Sequence, residues 1–262
     1  MRLRLAQGAE EIRACQALRY RIFYEELSAK PDVAVRTDAD RFDAFCDHLV
    51  VVRKGKASTS DPVLLADGEL VGTYRLLRQE IAEQNGGFYT QEEFDIAPVL
   101  LSHPDLSFLE LGRSCVLKPY RTKPVVELLW QGIWNYVRSH GIDVMFGCAS
   151  LEGTSPEAHA QALTFLAEHR VPPPEWQVQA LPDRYLPMKR RSRFDAKAAL
   201  RALPPLIKGY LRLGCYIGEG AVIDSQFNTI DIFIILPVSA IDSRYFARFG
   251  EPNGQERRRP IG

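Results

Sequence analysis

A glutamate and an arginine stand three residues apart inside an otherwise apolar run, Phe108-Leu-Glu-Leu-Gly-Arg-Ser-Cys-Val-Leu117. Charges inside such a run are costly unless they are paired or used. The run leads through a short basic segment, Lys118-Pro-Tyr-Arg-Thr-Lys-Pro124, into an amphipathic stretch. A strand that enters a helix through a tight loop presents backbone N–H groups at the helix N-terminus, where anions bind. The chemistry this arrangement points to is an enzyme that holds a phosphate-bearing donor near the buried carboxylate of Glu110.

The elements that must position these residues can be read from periodicity. Phe108–Leu117 reads as a buried strand. Val125–Val137 reads as a helix, with Pro124 near its first turn and Gly141 beyond its end. Val144–Ala149 is a further buried strand, and Pro156–His169 a helix stopped by Val171-Pro-Pro-Pro. Upstream, residues 9–27 have helical spacing. His48–Val52, Pro62–Ala66 and Leu70–Leu77 read as strands, the last two joined by an Asp67-Gly68 turn. Glu80–Glu83 and Thr90–Phe94 read as short helices or turns, and Thr229–Leu236 as a strand. The mixture predicts one α+β domain over residues 1–262 around a mixed central sheet flanked by helices, with a mobile C-terminal tail from about residue 250.

Composition narrows the class. Lys plus Arg and Asp plus Glu are equal at 33 each, so global charge points to no partner. The five cysteines are scattered without CxxC spacing, which fits a reducing compartment. No signal peptide is visible at the N-terminus, and the apolar run Ile232–Val238 is far too short to span a bilayer. Cytoplasmic placement follows as an expectation. The five histidines form no metal-ligand pattern, and no metal is expected.

Several motifs together resemble the GNAT N-acyltransferases. They are Arg19-Tyr-Arg-Ile-Phe23, Asp40-Arg-Phe-Asp43 followed by His48-Leu-Val-Val, Gly72-Thr-Tyr-Arg75-Leu-Leu, and Glu110-Leu-Gly-Arg113. Their order is shared by the ornithine-lipid N-acyltransferases and the acyl-homoserine-lactone synthases. Phe146-Gly-Cys-Ala-Ser-Leu-Glu-Gly-Thr154 and Gly218-Glu-Gly-Ala-Val-Ile-Asp224 resemble the ornithine-lipid branch. The resemblance implies a GNAT-like, mostly antiparallel sheet. It also implies transfer of a fatty acyl group, often 3-hydroxylated, from the phosphopantetheine of acyl carrier protein to the α-amino group of ornithine. No permanently bound cofactor is implied.

On that reading Glu110 is the general base, acting directly or through water, with a structural ion pair to an arginine as the alternative. In a regular strand Arg113 would face away from Glu110, unless Gly112 marks a bulge that brings both to one side. Arg113 would then organise Glu110 or bind the substrate carboxylate; otherwise its head reaches water. Asp40 and Asp43 suit a cationic acceptor or a capped turn. Arg75 and Arg19 bind substrate, orient loops or form surface ion pairs. The loop entering the helix lacks the glycines of the usual CoA pattern, and Pro124 lacks an N–H. Arg121 and Lys123 could still hold a single phosphodiester, which favours carrier protein over CoA as donor. Trp130 and Trp134 read as core, and Cys115 and Cys148 as inert.

Lys189-Arg-Arg-Ser-Arg193 and Arg257-Arg-Arg259 are basic runs that could meet acidic carrier protein or the anionic inner leaflet. Leu200–Leu213 could lie at a membrane interface, although Pro204-Pro205 and Gly209 interrupt it. Nucleic-acid binding has little support. Two other readings stay open: a lactone synthase using S-adenosylmethionine, and a non-catalytic carrier- or membrane-binding module. Acylation of glycine, glutamine or lysine also stays open.

Overall fold

The computed structural model describes residues 1–27, 29, 36–55, 63–189 and 193–242. Arg190–Ser192, the run at 257–259 and the expected mobile tail lie outside the described residues. Strands β1 (Arg2–Leu5), β2 (Asp47–Arg53), β3 (Leu64–Leu65), β4 (Gly68–Arg78), β5 (Phe94–Asp95), β6 (Phe108–Val116), β7 (Val144–Glu152), β8 (Gln179–Ala180), β9 (Tyr216–Asp224) and β10 (Thr229–Pro237) follow in chain order. They form a sheet of order β1-β2-β4-β6-β7-β10-β9-β8-β5, with β3 against β4. Among the described residues only β6–β7 and β8–β9 are parallel, so the sheet is mixed and mostly antiparallel, as the family resemblance implies.

The parallel pair at the centre requires a crossover, supplied by α4 (Lys123–His140). Its buried residues Val125, Leu129, Ile133, Trp134 and Val137 recur at helical spacing, and Gly141 closes it at φ +61°. Helices α1 (Gly8–Tyr20), α2 (Gln79–Gln84), α3 (Ala97–Ser102), α5 (Ala160–His169), α6 (Ala196–Ala202) and α7 (Pro205–Leu213) complete the frame. The helix expected over 9–27 departs from the α-form after Tyr20: Arg21–Glu26 is a π-helical turn, with the Leu27 N–H donating to the Ile22 carbonyl at 3.0 Å. Such turns gather at functional sites. One hydrophobic cluster packs with α1, α4, α5 and α7, and a second, rich in Phe42, Phe88, Phe94, Phe146 and Phe233, packs with α2 and α3.

Two expectations need correction. Periodicity predicts no strand at β9, where Gly218 and Gly220 interrupt the apolar pattern. Both glycines are required by close packing: a Cβ at Gly218 would lie 2.9 Å from the Val178 carbonyl oxygen, and one at Gly220 2.6 Å from the Tyr185 ring. The stripe expected at a membrane faces inward instead. Leu203, Ile207 and Tyr210 are buried, and Leu206 and Leu213 pack on the core. Among the described residues, no helix is long and apolar enough to cross a membrane.

Candidate active site

The parallel strands β6 and β7 pair only from Phe108–Val144 to Glu110–Phe146. Beyond that point they part. A Cβ at Gly147 would lie 2.2 Å from the Leu111 carbonyl oxygen, so only glycine allows the two backbones this approach where the fork begins. A cavity of about 280 Å³ opens at the fork, lined on one side by Glu110–Ser114 and on the other by Cys148–Ser150.

Glu110 stands at the base of this fork and is 5% exposed. Its Oε1 accepts from the Thr90 N–H (2.6 Å) and the Thr90 hydroxyl (2.5 Å), and its Oε2 from the Tyr89 N–H (3.0 Å). A carboxylate has about four acceptor positions, so these three donors orient it and leave one for a cavity ligand. Burial raises its pKa above the ordinary value, with the three donors opposing the rise. The carboxylate is therefore a stronger base than an exposed glutamate.

A bulge follows Gly112. Arg75 pairs with Gly112 and Thr73 with Cys115, so Arg113 and Ser114 together oppose Tyr74. Arg113 takes φ +50°, the left-handed region that a bulky side chain rarely adopts. Its guanidinium lies between two rings, 4.6 Å from the centroids of Tyr89 and Phe227. The bulge thus brings Arg113 to the cavity that Glu110 lines.

The other charged motif residues meet in one network. Arg19 is fully buried. It lies 2.7 Å from Asp38 Oδ2 through Nε, and donates to both Asp43 oxygens at 2.8 and 2.6 Å. Arg75 donates to Asp40 Oδ1 at 2.6 Å and to Asp43 Oδ1 at 3.1 Å. Arg113 reaches Asp40 Oδ2 at 3.1 Å and lies 3.4 Å from Asp38 Oδ2. Three arginines thus match three aspartates. Burial works to raise the Asp43 pKa, but Arg19 and Arg75 outweigh it and hold the carboxyl well below the usual range. Neighbouring His48 is pushed down to about 4 by burial and then by Arg19, so it is neutral. The expectation for Asp40 and Asp43 is a cationic acceptor or a capped turn; the cations they meet here are arginines of the chain itself. Asp40 also caps the turn Arg41–Ala44 by accepting from the Phe42 N–H.

At the donor loop, both Nη atoms of Arg121 grip the Glu26 carboxylate at 2.5 and 2.8 Å, and its Nε donates to the Val116 carbonyl. Lys123 is 80% exposed, 3.7 Å from Glu127. Neither points into the cavity lining. Cys148 is a weak donor to the Thr90 hydroxyl at 3.8 Å. Burial, then Glu93, raises its pKa well above the ordinary value, so it stays a protonated thiol.

Sequence reasoning passed over Asp38, Glu93 and Asp224 as site residues, and used Asp231 only as the edge of an apolar run. Asp38 follows a polar, loop-like segment and carries no periodic signal. Asp224 and Asp231 carry the signal that marked Glu110, a charge within or bounding an apolar strand.

Comparison with known proteins fits this geometry. A model of the acetyltransferase (GNAT) domain matches residues 18–131. The chain is 49% identical over 255 residues to an L-ornithine N(alpha)-acyltransferase of Brucella abortus, covering 95% of this chain and 89% of that one. It is 50% identical over 259 residues to the L-ornithine N(alpha)-acyltransferase of Rhizobium meliloti, covering 96% and 85%. The chain belongs to the L-ornithine N(alpha)-acyltransferase family. The solved structure of an N-acyl amino acid synthase from uncultured soil microbes superposes with TM-score 0.53 at 11% identity, covering 94% of this chain and 97% of that one, which supports the fold. Glu110 and the whole of β6 lie within the residues that the GNAT domain model matches.

Proposed function

We propose that the protein moves a (3-hydroxy)fatty acyl group from the phosphopantetheine thioester of acyl carrier protein to the α-amino group of ornithine, giving a lyso-ornithine lipid. The observation that carries the proposal is the buried, oriented Glu110 carboxylate at the fork of β6 and β7, in a chain about half identical to ornithine acyltransferases.

The thioester enters along the fork. The neutral α-amine attacks its carbonyl carbon, the C–N bond forms, and the C–S bond breaks. Glu110 takes the proton the amine must lose, and the thiolate leaves to be protonated. Proton removal by a placed base contributes about 10²–10⁴-fold. Beyond the fork, backbone N–H groups of β6 released from β7 are the donors for the oxyanion. The Arg19, Arg75, Arg113 and Asp38, Asp40, Asp43 network is the frame that fixes the bulge and the acceptor wall. The cavity is just under the range of about 300–1,000 Å³ typical of sites that enclose a whole ligand. It therefore takes the reacting ends, and the acyl chain leaves past Phe23, Leu27 and Leu206, which line it. Arg121 and Lys123 flank the entry to α4 and take the donor phosphate when Arg121 exchanges Glu26 for it. Contact with the membrane surface uses the basic side chains near α6 and α7, since the apolar faces of these helices are turned inward.

The test is reconstitution. Purified protein is mixed with 3-hydroxyacyl carrier protein or the matching acyl-CoA, and separately with ornithine, lysine, glycine, glutamine and S-adenosylmethionine. Products are identified by mass spectrometry. N-acyl-ornithine from the carrier-protein donor is expected. Equal turnover with acyl-CoA at matched concentration overturns the donor assignment, and a homoserine lactone overturns the acceptor assignment.

A further inference from the structure

A second set of acids, two of which line the same cavity, is not balanced as the first is. Glu93 follows the helical turn Tyr89–Glu92, Asp224 ends β9, and Asp231 lies near the start of β10. Each is at least nine-tenths buried, and one carboxylate oxygen from each lies within 4.8 Å of the others. Asp224 and Asp231 line the cavity that Glu110 lines. The set has one ion-pair partner among the described residues, Arg184, which lies 3.4 Å from Glu93 Oε1. The Asp224 Oδ1 is held by the Gln226 and Phe227 N–H groups, and the Asp231 Oδ1 by the Thr229 hydroxyl. Glu93 Oε2 is buried, and no nitrogen or oxygen donor reaches it. Three buried carboxylates facing one arginine are costly unless a further cation completes them.

We propose that Glu93, Asp224 and Asp231 hold the side-chain ammonium of the acceptor amino acid and so set its specificity; this rests on the ornithine reading above. A primary ammonium has three donors and no acceptor, which suits three converging carboxylate oxygens. The spacing fits. Thr90 and Cys148 bridge the two sites: Thr90 bonds Glu110, Cys148 bonds Thr90, and Cys148 also reaches Glu93. The three methylenes of ornithine part its two nitrogens by about 6 Å when extended. An amine caged by carboxylates stays protonated and cannot attack, so the other nitrogen, beside Glu110, is the one acylated. The cage therefore accounts for both the choice of a diamino acid and the choice of its α-nitrogen.

The experiment compares ornithine with norvaline, which has the same chain but no terminal amine. It reads kcat/KM with the acyl donor, and binding of each amino acid to the whole protein by calorimetry. Wild-type protein is expected to prefer ornithine by about 100-fold or more, since a site built to bond a polar group strongly rejects the analogue lacking it. In Asp231→Asn that preference is expected to fall below about threefold, chiefly through KM. Glu93→Gln is the companion variant, because Glu93 Oε2 carries no hydrogen bond whose loss would unfold the protein. Ornithine and norvaline used alike by wild type, or a preference that survives in both variants, overturns the proposal. Should the protein acylate neither amino acid, the acyl-transfer reading fails, and calorimetry still decides the site by whether ornithine alone binds wild type. Tight binding of calcium or magnesium that ornithine cannot displace also overturns it, making the cluster a metal site.

Discussion

Replacing Glu110 by glutamine separates the two roles its geometry allows, base and anchor. The glutamine carbonyl can take the Oε1 position and keep both Thr90 bonds, which leaves its NH₂ facing the Tyr89 N–H where a 3.0 Å bond now exists. Losing a hydrogen bond to a charged acceptor costs about 1.5–3 kcal/mol. Removing a buried charge offsets part of that cost. The net destabilisation is then at most about 2 kcal/mol, a fall in Tm of about 4–8 °C at roughly 2–4 °C per kcal/mol for a chain of this size. Loss of a general base costs about 10²–10⁴ in kcat, or roughly 2.7–5.4 kcal/mol of barrier. Activity must therefore fall by more than stability explains. The assay follows N-acyl-ornithine formation at saturating substrates across pH, alongside thermal unfolding. Wild-type kcat should rise with pH through an apparent pKa above that of an ordinary glutamate, because the free carboxylate is the active form and burial raises its pKa. The Glu110→Gln variant should lose that limb. If Glu110→Gln keeps kcat within about threefold while Tm falls, Glu110 is an anchor for residues 89–90 and the base assignment is wrong. Glu110→Ala is the poorer probe, since it strands three donors at about 1–3 kcal/mol each.

Arg19→Met should destabilise the fold by about 3–5 kcal/mol, because Asp38 and Asp43 are left buried without their main cation. Urea unfolding should show this, with partial recovery in Arg19→Met/Asp43→Asn; a loss under about 1 kcal/mol would mean that the network is not coupled. Gly147→Ala should lower kcat/KM by at least about tenfold, since its Cβ meets the Leu111 carbonyl and forces the fork wider; turnover equal to wild type would show that the fork tolerates widening. Burial, then Asp231, pushes the Glu93 pKa up to about 7, with Asp224 adding to the rise and Arg184 and Cys148 opposing it. A cation needs the carboxylate form, so ornithine affinity should climb as pH rises through about 7, and flat calorimetric affinity from pH 6 to 8 would contradict this. Without ligand the sign reverses. Protonated Glu93 favours the folded state, so its contribution to stability is lost as pH rises from its unfolded value towards 7.

The main site was legible where one residue broke a local rule. Glu110 inside an apolar strand and Gly112 before Arg113 marked the buried carboxylate and the bulge, because burial and strand alternation act over a few residues. The pairing partners were not legible. Arg19, Asp40, Asp43, Arg75 and Arg113 lie on α1, a capped turn, β4 and β6, and only the register of β4 with β2 and β6 brings them together. Spacing along the chain cannot show that three arginines cancel three aspartates. Glu93, Asp224 and Asp231 were hidden for the same reason. Asp231 heads the run Ile232–Leu236, but its meaning depends on Asp224 across the hairpin and on Glu93 far upstream. The π-helical turn after Tyr20 left no periodic trace, because a single i→i+5 turn shifts the apolar pattern by less than one residue.

The most direct test of the account is to identify which nitrogen of ornithine is acylated. Ornithine labelled with ¹⁵N at the α position would be converted with 3-hydroxyacyl carrier protein, and the product amide examined by NMR. The ¹⁵N label is expected wholly in the amide, with the δ-nitrogen still a free ammonium held by Glu93, Asp224 and Asp231. An amide at the δ-nitrogen, or a mixture of the two, would contradict both the placement of Glu110 beside the α-amine and the acidic cage at the other end.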